Sequence, residues 1–384
     1  MRLIAQYNPR FNPIVGGGET YISNLVESMK NYNFEIITNA LPGHPLEEKF
    51  SENTLIRRFL PYDRSLIPFG NSALSKYSFP YRIMTDIIRI YRKNQFIGNS
   101  SYAIIHFHGM GFGGNLLRVD KWIKTLFLSK YIDFNWISIP KVLTIHNLFS
   151  PLTDNAIFEK YEHYIIDQFE NIICVDKNIE SYVNNYLKSK NQNKKISFIP
   201  NSVDLNRFSF SKIEQRKKLQ IGFAGRFERS RGIVFLQKLI KNLPDFCELH
   251  LTCNPIQIHN NSNIHFYGSL PENKIPIFLK NIDILFNPVI AEGISRITLE
   301  AMSSGRSVIM LDKGNRHPII HGKTGYLVKE DINDLINLLE HIKDNRDDLQ
   351  KLGYNARKIV EDEFSNEVII PKIEKIYEDL LNEN

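Results

Sequence analysis

The sequence predicts an α/β protein with two mainly parallel β-sheets, each covered by helices. Two observations predict this class. Short β-branched runs alternate with helical patterns from end to end, and the series restarts near the middle of the chain. With 384 residues, 42% of them hydrophobic, the chain is long enough for about two domains with sizeable cores. We therefore expect two Rossmann-like domains.

Each half of the chain has its own series of predicted strands. The first series lies near residues 2–7, 34–38, 102–106, 142–145, 172–175 and 196–199, and the second near 220–224, 247–252, 264–267, 284–287, 307–310 and 325–328. The polar segment 200–216 separates them, and an amphipathic helix is predicted over 365–381. We assign 1–205 to an N-terminal domain, 206–363 to a C-terminal domain, and 364–384 to a helix packing back toward the N-terminal domain.

Composition argues against several classes of protein. The three cysteines, Cys174, Cys247 and Cys253, are too few and too irregularly spaced for a disulfide framework or a four-ligand zinc site. The chain has no run of about 18 apolar residues, and its start does not resemble a secretory signal. We expect a cytoplasmic protein that does not span a membrane.

Basic residues are concentrated between Arg57 and Lys130, where Asp63, Asp86 and Asp120 are the acidic residues. Aromatic and aliphatic residues interleave with them, which is typical of helices with one apolar and one basic face. Two interpretations stay open: ordinary core-facing helices with solvated basic residues, or a surface that binds anionic lipid on the inner face of the plasma membrane. Nucleic acid is not an expected partner, because no nucleic-acid motif accompanies these residues.

The first motif with chemical potential is GGGE, residues 16–19, which follows the first strand and precedes a helix expected to begin near Thr20. Consecutive glycines let backbone amides approach a ligand, and a helix N-terminus adds partial positive charge, so a diphosphate would fit here. The other interpretation is a tight turn. Tyr21 stands where the dinucleotide fingerprint requires its third glycine, which disfavours an NAD-dependent enzyme.

The second motif is GRFERSRG, residues 225–232, after the first strand of the second domain. Arg226 and Arg231 could neutralise a diphosphate, although exposed basic turns are also common. The third motif, AEGISRITLEAM at 291–302, carries Glu292 and Glu300 on either side of a turn and a helix start. Carboxylates there could accept hydrogen bonds from sugar hydroxyls. The alternative is an ordinary capped helix with an exposed Glu292 and a salt-bridged Glu300.

These motifs, with VLTIHN, IPNSVDLNRF, YGSLPENKI and GNRHPIIHGKTGYLV in the same order, resemble the family 4 retaining glycosyltransferases of the GT-B fold. The resemblance covers nearly the whole chain. It implies that the N-terminal domain, 1–205, is the acceptor side and the C-terminal domain, 206–363, binds the nucleotide-sugar donor, with the two domains facing each other across a cleft. It implies transfer of a hexose or N-acetylhexosamine from a nucleotide-diphosphate sugar to a glycan or lipid-linked saccharide.

The resemblance also implies roles for individual residues. Glu300 would bind the nucleotide ribose, and Glu292 and His146 would lie at the transferred sugar. The diphosphate would be bound by two arginines, three backbone amides and the glycine loop: Arg226, Arg231, Gly293, Ile294, Ser295, Gly17 and Gly18. Glu19 and His108 are acceptor-side candidates.

The chain departs from the family pattern at two places. Arg231 replaces the usual lysine, and Ile294 and Ser295 replace the frequent Phe-Gly, which leaves the sugar open. No D-x-D pattern stands near the donor motifs, so we expect a metal-independent reaction without a cofactor, in which cations and helix amides stabilise the leaving diphosphate. A catalytically inactive scaffold, or a nucleotide-sugar epimerase of the same fold, remains the alternative.

Overall fold

The computed structural model describes residues 1–13, 16–41, 43–59, 90–110, 133–148, 156–225, 227, 231–253, 261–290 and 294–383. The fold divides into two compact units. Residues 1–199 and 372–384 form the N-terminal unit, and residues 200–371 form the C-terminal unit.

The N-terminal unit is built on one sheet in the order β3-β4-β2-β1-β5-β6-β7-β8 within the described residues. All neighbours are parallel except β3 and β4, which are antiparallel. Its strands are β1 (Leu3–Tyr7), β2 (Asn33–Asn39), β3 (Glu47–Ser51), β4 (Thr54–Phe59), β5 (Ile104–His108), β6 (Lys141–Ile145), β7 (Asn171–Cys174) and β8 (Lys195–Phe198). The central strand β5 is buried at every residue because helices cover both faces of such a sheet.

The C-terminal unit has a second parallel sheet, in the order β11-β10-β9-β12-β13-β14 within its described part. Its strands are β9 (Leu219–Phe223), β10 (Cys247–Leu251), β11 (Ile264–Phe266), β12 (Ile284–Asn287), β13 (Ser307–Leu311) and β14 (Gly325–Val328). The first strand in sequence, β9, lies in the interior next to β12, which is the arrangement of a doubly wound fold.

Helices alternate with these strands along the chain. In chain order they are α1 (Gly17–Ser28), α2 (Ala156–Asp167), α3 (Lys177–Ser189), α4 (Ile233–Lys241), α5 (Ile275–Lys280), α6 (Arg296–Ser303), α7 (Ile332–Asp344), α8 (Arg346–Glu363) and α9 (Asn366–Asn382). Residues 90–98 are also helical. The last helix, α9, contributes its first turns to the C-terminal unit and the rest to the N-terminal unit.

The predicted α/β class with two parallel sheets is confirmed, and every predicted strand is present within a residue or two of its expected bounds. The β3–β4 hairpin was missed. Its first strand, Glu47–Ser51, is an edge strand in which charged residues predominate and every residue is exposed or half-buried, so it lacks the apolar run that marks a buried strand. Among the described residues, no helix is both long enough and apolar enough to cross a membrane.

Candidate active site

The glycine motif starts a helix three residues earlier than predicted. α1 begins at Gly17, with Gly16 as its extended N-cap and the Thr20 amide donating to the Gly16 carbonyl at 3.0 Å. The expectation of a helix start near Thr20 was therefore wrong, because glycines can occupy the first turn of a helix. The amides at the very start of a helix have no acceptor within it, which makes those of Gly17 and Gly18 candidates for binding an anion.

Gly18 lies beside His146, which follows the carboxyl end of β6. A Cβ added to Gly18 would be 4.0 Å from Cδ2 of His146, so the ring lies against the backbone of the glycine motif. Tyr21 on α1 packs edge-on against the same ring, with centroids 4.8 Å apart. The fold thus brings together two motifs that are about 130 residues apart in sequence.

His146 belongs to a polar network that continues into the sheet. Its Nε2 lies 3.4 Å from Nδ1 of His108, and Nε2 of His108 lies 2.7 Å from Oε1 of Gln6. Gln6 Nε2 in turn donates to the hydroxyl of Tyr377 at 3.1 Å, and that hydroxyl lies 2.6 Å from Nδ1 of His106. The network therefore runs from the edge of the glycine motif to helix α9.

The histidines of this network are neutral. Burial lowers the pKa of His106 to about 3 and that of His146 to about 4, and it holds the pKa of His108 well below its ordinary value. Mutual repulsion adds to the effect for His106 and His108. A neutral imidazole can donate one hydrogen bond and accept another, which suits it to orient a hydroxyl.

In the C-terminal unit, the second and third motifs follow neighbouring strands, β9 and β12. Gly232 adopts a left-handed conformation, with φ of 71°, and forms the N-cap of α4. A Cβ there would lie only 1.7 Å from the carbonyl oxygen of Pro288, just after β12. Only glycine permits this close approach, so the turn containing Arg231 is held next to the end of β12.

The start of α6 is held by polar side chains. Asn287, the last residue of β12, donates to Oγ of Ser295 at 2.8 Å and to Oγ1 of Thr298 at 2.9 Å. Ser295 is the N-cap in an extended conformation. These contacts fix where the first-turn amides of α6 lie, as an anion site at a helix N-terminus requires.

Glu300 is the buried carboxylate of this helix, with 8% of its surface exposed. Its Oε1 accepts a hydrogen bond of 2.9 Å from Nη2 of Arg296, one helical turn earlier. Arg296 also lies 4.0 Å from Glu272, which pairs with Arg207. The sequence singled out Glu300 but gave Arg296 no role, although the i, i+4 spacing was a readable signal.

The predicted site residues are distributed over both units of the fold. Ile294, Ser295, Glu300 and Arg231 lie around the ends of β9 and β12, whereas Gly17, Gly18, Glu19, His108 and His146 belong to the N-terminal unit. Arg226, Glu292 and Gly293 lie outside the described residues.

Three of the basic residues that suggested a lipid surface have internal partners. Arg57 pairs with Glu35 and Glu47, and Arg58, which is buried, pairs with Glu48. Lys93 is fully buried and donates to Oδ1 of Asn39 at 2.9 Å. Because Arg58 and Lys93 are buried, these two cations are not presented to a membrane. Segments 60–89 and 111–132, which carry most of the others, lie outside the described residues.

Family models match nearly the entire chain. The model described as Glycosyltransferase Family 4 matches residues 15–207, half of the chain, and the model described as Glycosyl transferases group 1 matches residues 206–359. The chain belongs to glycosyltransferase family 4. It is therefore a sugar-transferring enzyme of the GT-B type, and the predicted family is confirmed.

Relatives of this family 4 glycosyltransferase are distant in sequence. An uncharacterized glycosyltransferase of Methanocaldococcus jannaschii is 26% identical over 390 residues, and the alignment covers 96% of each protein. A capsular polysaccharide biosynthesis glycosyltransferase of Staphylococcus aureus is 24% identical over 178 residues, covering 43% of this chain and 47% of that protein.

Two solved structures share the fold over its full length. Sucrose-phosphate synthase from Thermosynechococcus elongatus has a TM-score of 0.77 at 17% identity, with both chains fully covered. HepE of Anabaena, solved in complex with UDP and glucose, has a TM-score of 0.71 at 14% identity, covering 99% of this chain and all of that one.

One described cluster of the C-terminal unit offers metal-ligating atoms, at Glu248, His250 and His265, with ligand atoms within 4.8 Å of one another. It lies on β10 and β11. Both ring nitrogens of His250 already have partners, the Tyr267 hydroxyl at 2.9 Å and Gln220 Oε1 at 2.7 Å. A metal would have to displace one of these two partners to bind His250.

Proposed function

We propose that this family 4 glycosyltransferase transfers a hexosyl or N-acetylhexosaminyl group from a nucleotide-diphosphate sugar to a hydroxyl of a saccharide or lipid-linked saccharide. In this proposal the anomeric configuration is retained and no metal takes part. The observation that carries it is Glu300, a carboxylate with little exposed surface that is oriented by Arg296 behind the start of α6.

Glu300 is the proposed ligand of the nucleotide ribose. A carboxylate accepts hydrogen bonds at two oxygens, which matches the two neighbouring hydroxyls of a ribose. Because Arg296 fixes one oxygen at 2.9 Å, little side-chain entropy is lost on binding. Hydrogen bonds to a charged acceptor are worth about 1.5–3 kcal/mol each, so this residue should contribute strongly to donor affinity.

The diphosphate would be neutralised without a metal. Arg231 lies in the turn before α4, and Ile294 and Ser295 immediately precede α6. Helix N-terminal amides and arginine side chains are established ligands of phosphate groups. Arg226 and Gly293 are proposed to complete this set on the strength of the family motif, together with the amides of Gly17 and Gly18.

At the sugar itself, Glu292 and His146 are the proposed contacts, with Glu19 and His108 on the acceptor side. His146 would orient hydroxyls as a neutral imidazole, since burial lowers its pKa to about 4. UDP-glucose is the first donor to test, because HepE was solved with UDP and glucose.

Retention is proposed to follow from a reaction on one face of the sugar. The bond between the anomeric carbon and the diphosphate oxygen breaks, and the acceptor oxygen forms a bond to that carbon on the same face. The acceptor proton passes to the departing diphosphate, so no protein nucleophile is needed. The fixed cations and amides would stabilise the negative charge that develops on the diphosphate.

The acceptor class is tested separately from the donor. A lipid-linked acceptor at an anionic membrane would give the protein an affinity for anionic vesicles that falls with salt. In a flotation assay at low salt, recovery with phosphatidylglycerol vesicles but not with phosphatidylcholine vesicles supports this part of the proposal. Protein that binds neither kind of vesicle would contradict the membrane-associated acceptor.

The central experiment uses UDP-, GDP- and ADP-sugars in the presence of excess EDTA. Nucleoside diphosphate release should be observed with one donor and should rise when the right saccharide acceptor is added. Proton NMR of the first product should show the anomeric configuration of the donor. A product with inverted configuration would contradict retention. Activity abolished by EDTA and restored by Mg²⁺ would contradict metal independence. A folded protein without donor turnover would favour an inactive scaffold.

A further inference from the structure

The polar network of the N-terminal unit connects His146 to helix α9 through His108 and Gln6. Gln6 on β1, His108 on β5 and His146 after β6 belong to three neighbouring strands of the sheet. Gln6 pairs with His106, and His108 pairs with Thr144, so side chains two residues apart on these strands share one face. Helix α9 supplies Tyr377, which contacts this face from the far end of the chain.

Gln6 gives the network its direction. Its amide nitrogen donates to the Tyr377 hydroxyl at 3.1 Å, which leaves its carbonyl oxygen, Oε1, as an acceptor. Nε2 of His108 lies 2.7 Å from that oxygen, and an oxygen of this kind can only accept. With the Gln6 amide in this orientation, His108 carries its hydrogen on Nε2, and its Nδ1 presents a lone pair because burial holds the pKa of the ring well below its ordinary value.

The same reasoning passes to His146. Its Nε2 lies 3.4 Å from the lone pair on Nδ1 of His108, so Nε2 of His146 is the donor of that contact. Nδ1 of His146 then bears the lone pair. Tyr21, packed edge-on at 4.8 Å, holds the ring in this orientation.

We propose that Tyr377, Gln6 and His108 are positioning residues that hold His146 as the Nε2–H tautomer, with Nδ1 as an acceptor for a substrate hydroxyl. The inference rests on the proposed function in so far as it gives His146 a substrate. It adds the reason why α9, remote in sequence from every donor motif, bears on the reaction. None of the three residues needs to touch substrate.

A second consequence concerns the other end of the network. The Tyr377 hydroxyl accepts from Gln6, so its own proton is directed to Nδ1 of His106 at 2.6 Å. His106 then donates from Nε2 to Oγ1 of Thr144, also at 2.6 Å. Tyr377 thus orders two histidine tautomers at once, and losing its hydroxyl releases the Gln6 amide to rotate.

The test compares Tyr377→Phe and Gln6→Met with the matched control Tyr102→Phe. Tyr102 is a buried tyrosine of the same unit whose hydroxyl donates to Glu35 and has no contact with the network. Long-range ¹H–¹⁵N correlation spectra of protein labelled at histidine nitrogens report the tautomer directly, with the His146 signals assigned by their loss in His146→Gln.

The wild type and Tyr102→Phe should show a single Nε2–H form of His146, whereas Tyr377→Phe should show both tautomers. With the donor that the enzyme uses, kcat of Tyr377→Phe and Gln6→Met should fall roughly tenfold, with donor KM changed less than about twofold. Tyr102→Phe should keep the wild-type kcat.

An Nδ1–H form of His146 in the wild type, or an unchanged tautomer in Tyr377→Phe, would overturn the inference. The spectra need no turnover, so an enzyme that uses no donor would refute the proposed function while the tautomer assignment is still decided. If Gln6→Met does not fold, the spectra of the wild type and Tyr377→Phe are sufficient to support or refute the tautomer assignment.

Discussion

Acid should destabilise the N-terminal unit through its buried histidines. His106 is fully buried with a pKa lowered to about 3, and His108 is buried with a pKa well below its ordinary value. In the unfolded chain a histidine has a pKa of about 6.5. As pH falls, the unfolded chain therefore takes up protons first. The stability that depends on these two rings is complete above about pH 6.5 and is lost progressively as pH falls toward their native pKa values.

The size of the effect follows from these pKa values. A pH of 5.0 lies about 1.5 units below the pKa of a histidine in the unfolded chain, so that histidine is protonated. A histidine with a native pKa near 3 stays neutral at this pH in the folded protein. Each such histidine then costs about 2 kcal/mol between pH 7.5 and pH 5.0. His106 alone should therefore lower the free energy of unfolding by about 2 kcal/mol, and His108, whose pKa burial also lowers, should add to this loss. His146 is partly exposed and should add less.

Urea denaturation read by tryptophan fluorescence measures this effect in the right unit, because Trp122 and Trp136 both fall within residues 1–199. His106→Gln should remove about 2 kcal/mol of the acid-dependent loss, whereas His341→Gln, an exposed residue on α7, should leave the loss as it is in the wild type. Equal free energies of unfolding at pH 7.5 and 5.0, or the same loss in His106→Gln as in the wild type, would refute the reasoning.

Three further substitutions test the C-terminal unit. Gly232→Ala places a Cβ 1.7 Å from the Pro288 oxygen at a φ of 71° and should lower the free energy of unfolding in urea by about 3 kcal/mol. Gly17→Ala is the control: its Cβ meets nothing described within 4 Å, and it should lower that free energy by less than about 1 kcal/mol. Equal losses in the two variants would contradict this prediction. Arg306→Met should cost about 3–5 kcal/mol, since the buried guanidinium donates to carbonyls of Lys280, Ile282 and Ser211; a stable variant would show that these contacts are dispensable. Arg296→Gln should raise donor KM roughly fivefold by releasing Glu300, and an unchanged KM would remove Arg296 from the proposal.

The sequence predicted the sheets well because their strands are nearly continuous apolar runs bounded by turns. Ile284–Asn287 and Gly325–Val328 were predicted at their observed bounds. Burial on both faces leaves such a strand no alternative position, and this makes it readable without an alignment. The charged edge strand Glu47–Ser51 follows the opposite rule and was missed.

Site residues could be related to one another from the sequence only where they lie in the same short segment of the chain. Glu300 and Ser295 lie on consecutive turns of one helix start, so spacing alone related them. Tyr377 could not be found this way, because it reaches Gln6 and His106 through the packing of a helix more than 270 residues further along the chain. The pairs His106 with His108 and Thr144 with His146 did carry a signal, since residues two apart on a strand share a face.

The most direct test of the account is equilibrium binding of UDP-glucose in EDTA to the wild type, Glu300→Gln and the control Glu340→Gln, an exposed glutamate on α7. Other nucleotide sugars replace UDP-glucose if it does not bind. The account predicts saturable binding of one donor by the wild type and the control, weakened roughly tenfold or more in Glu300→Gln. Equal affinity in all three proteins, or no binding of any donor by the folded wild type, would contradict it.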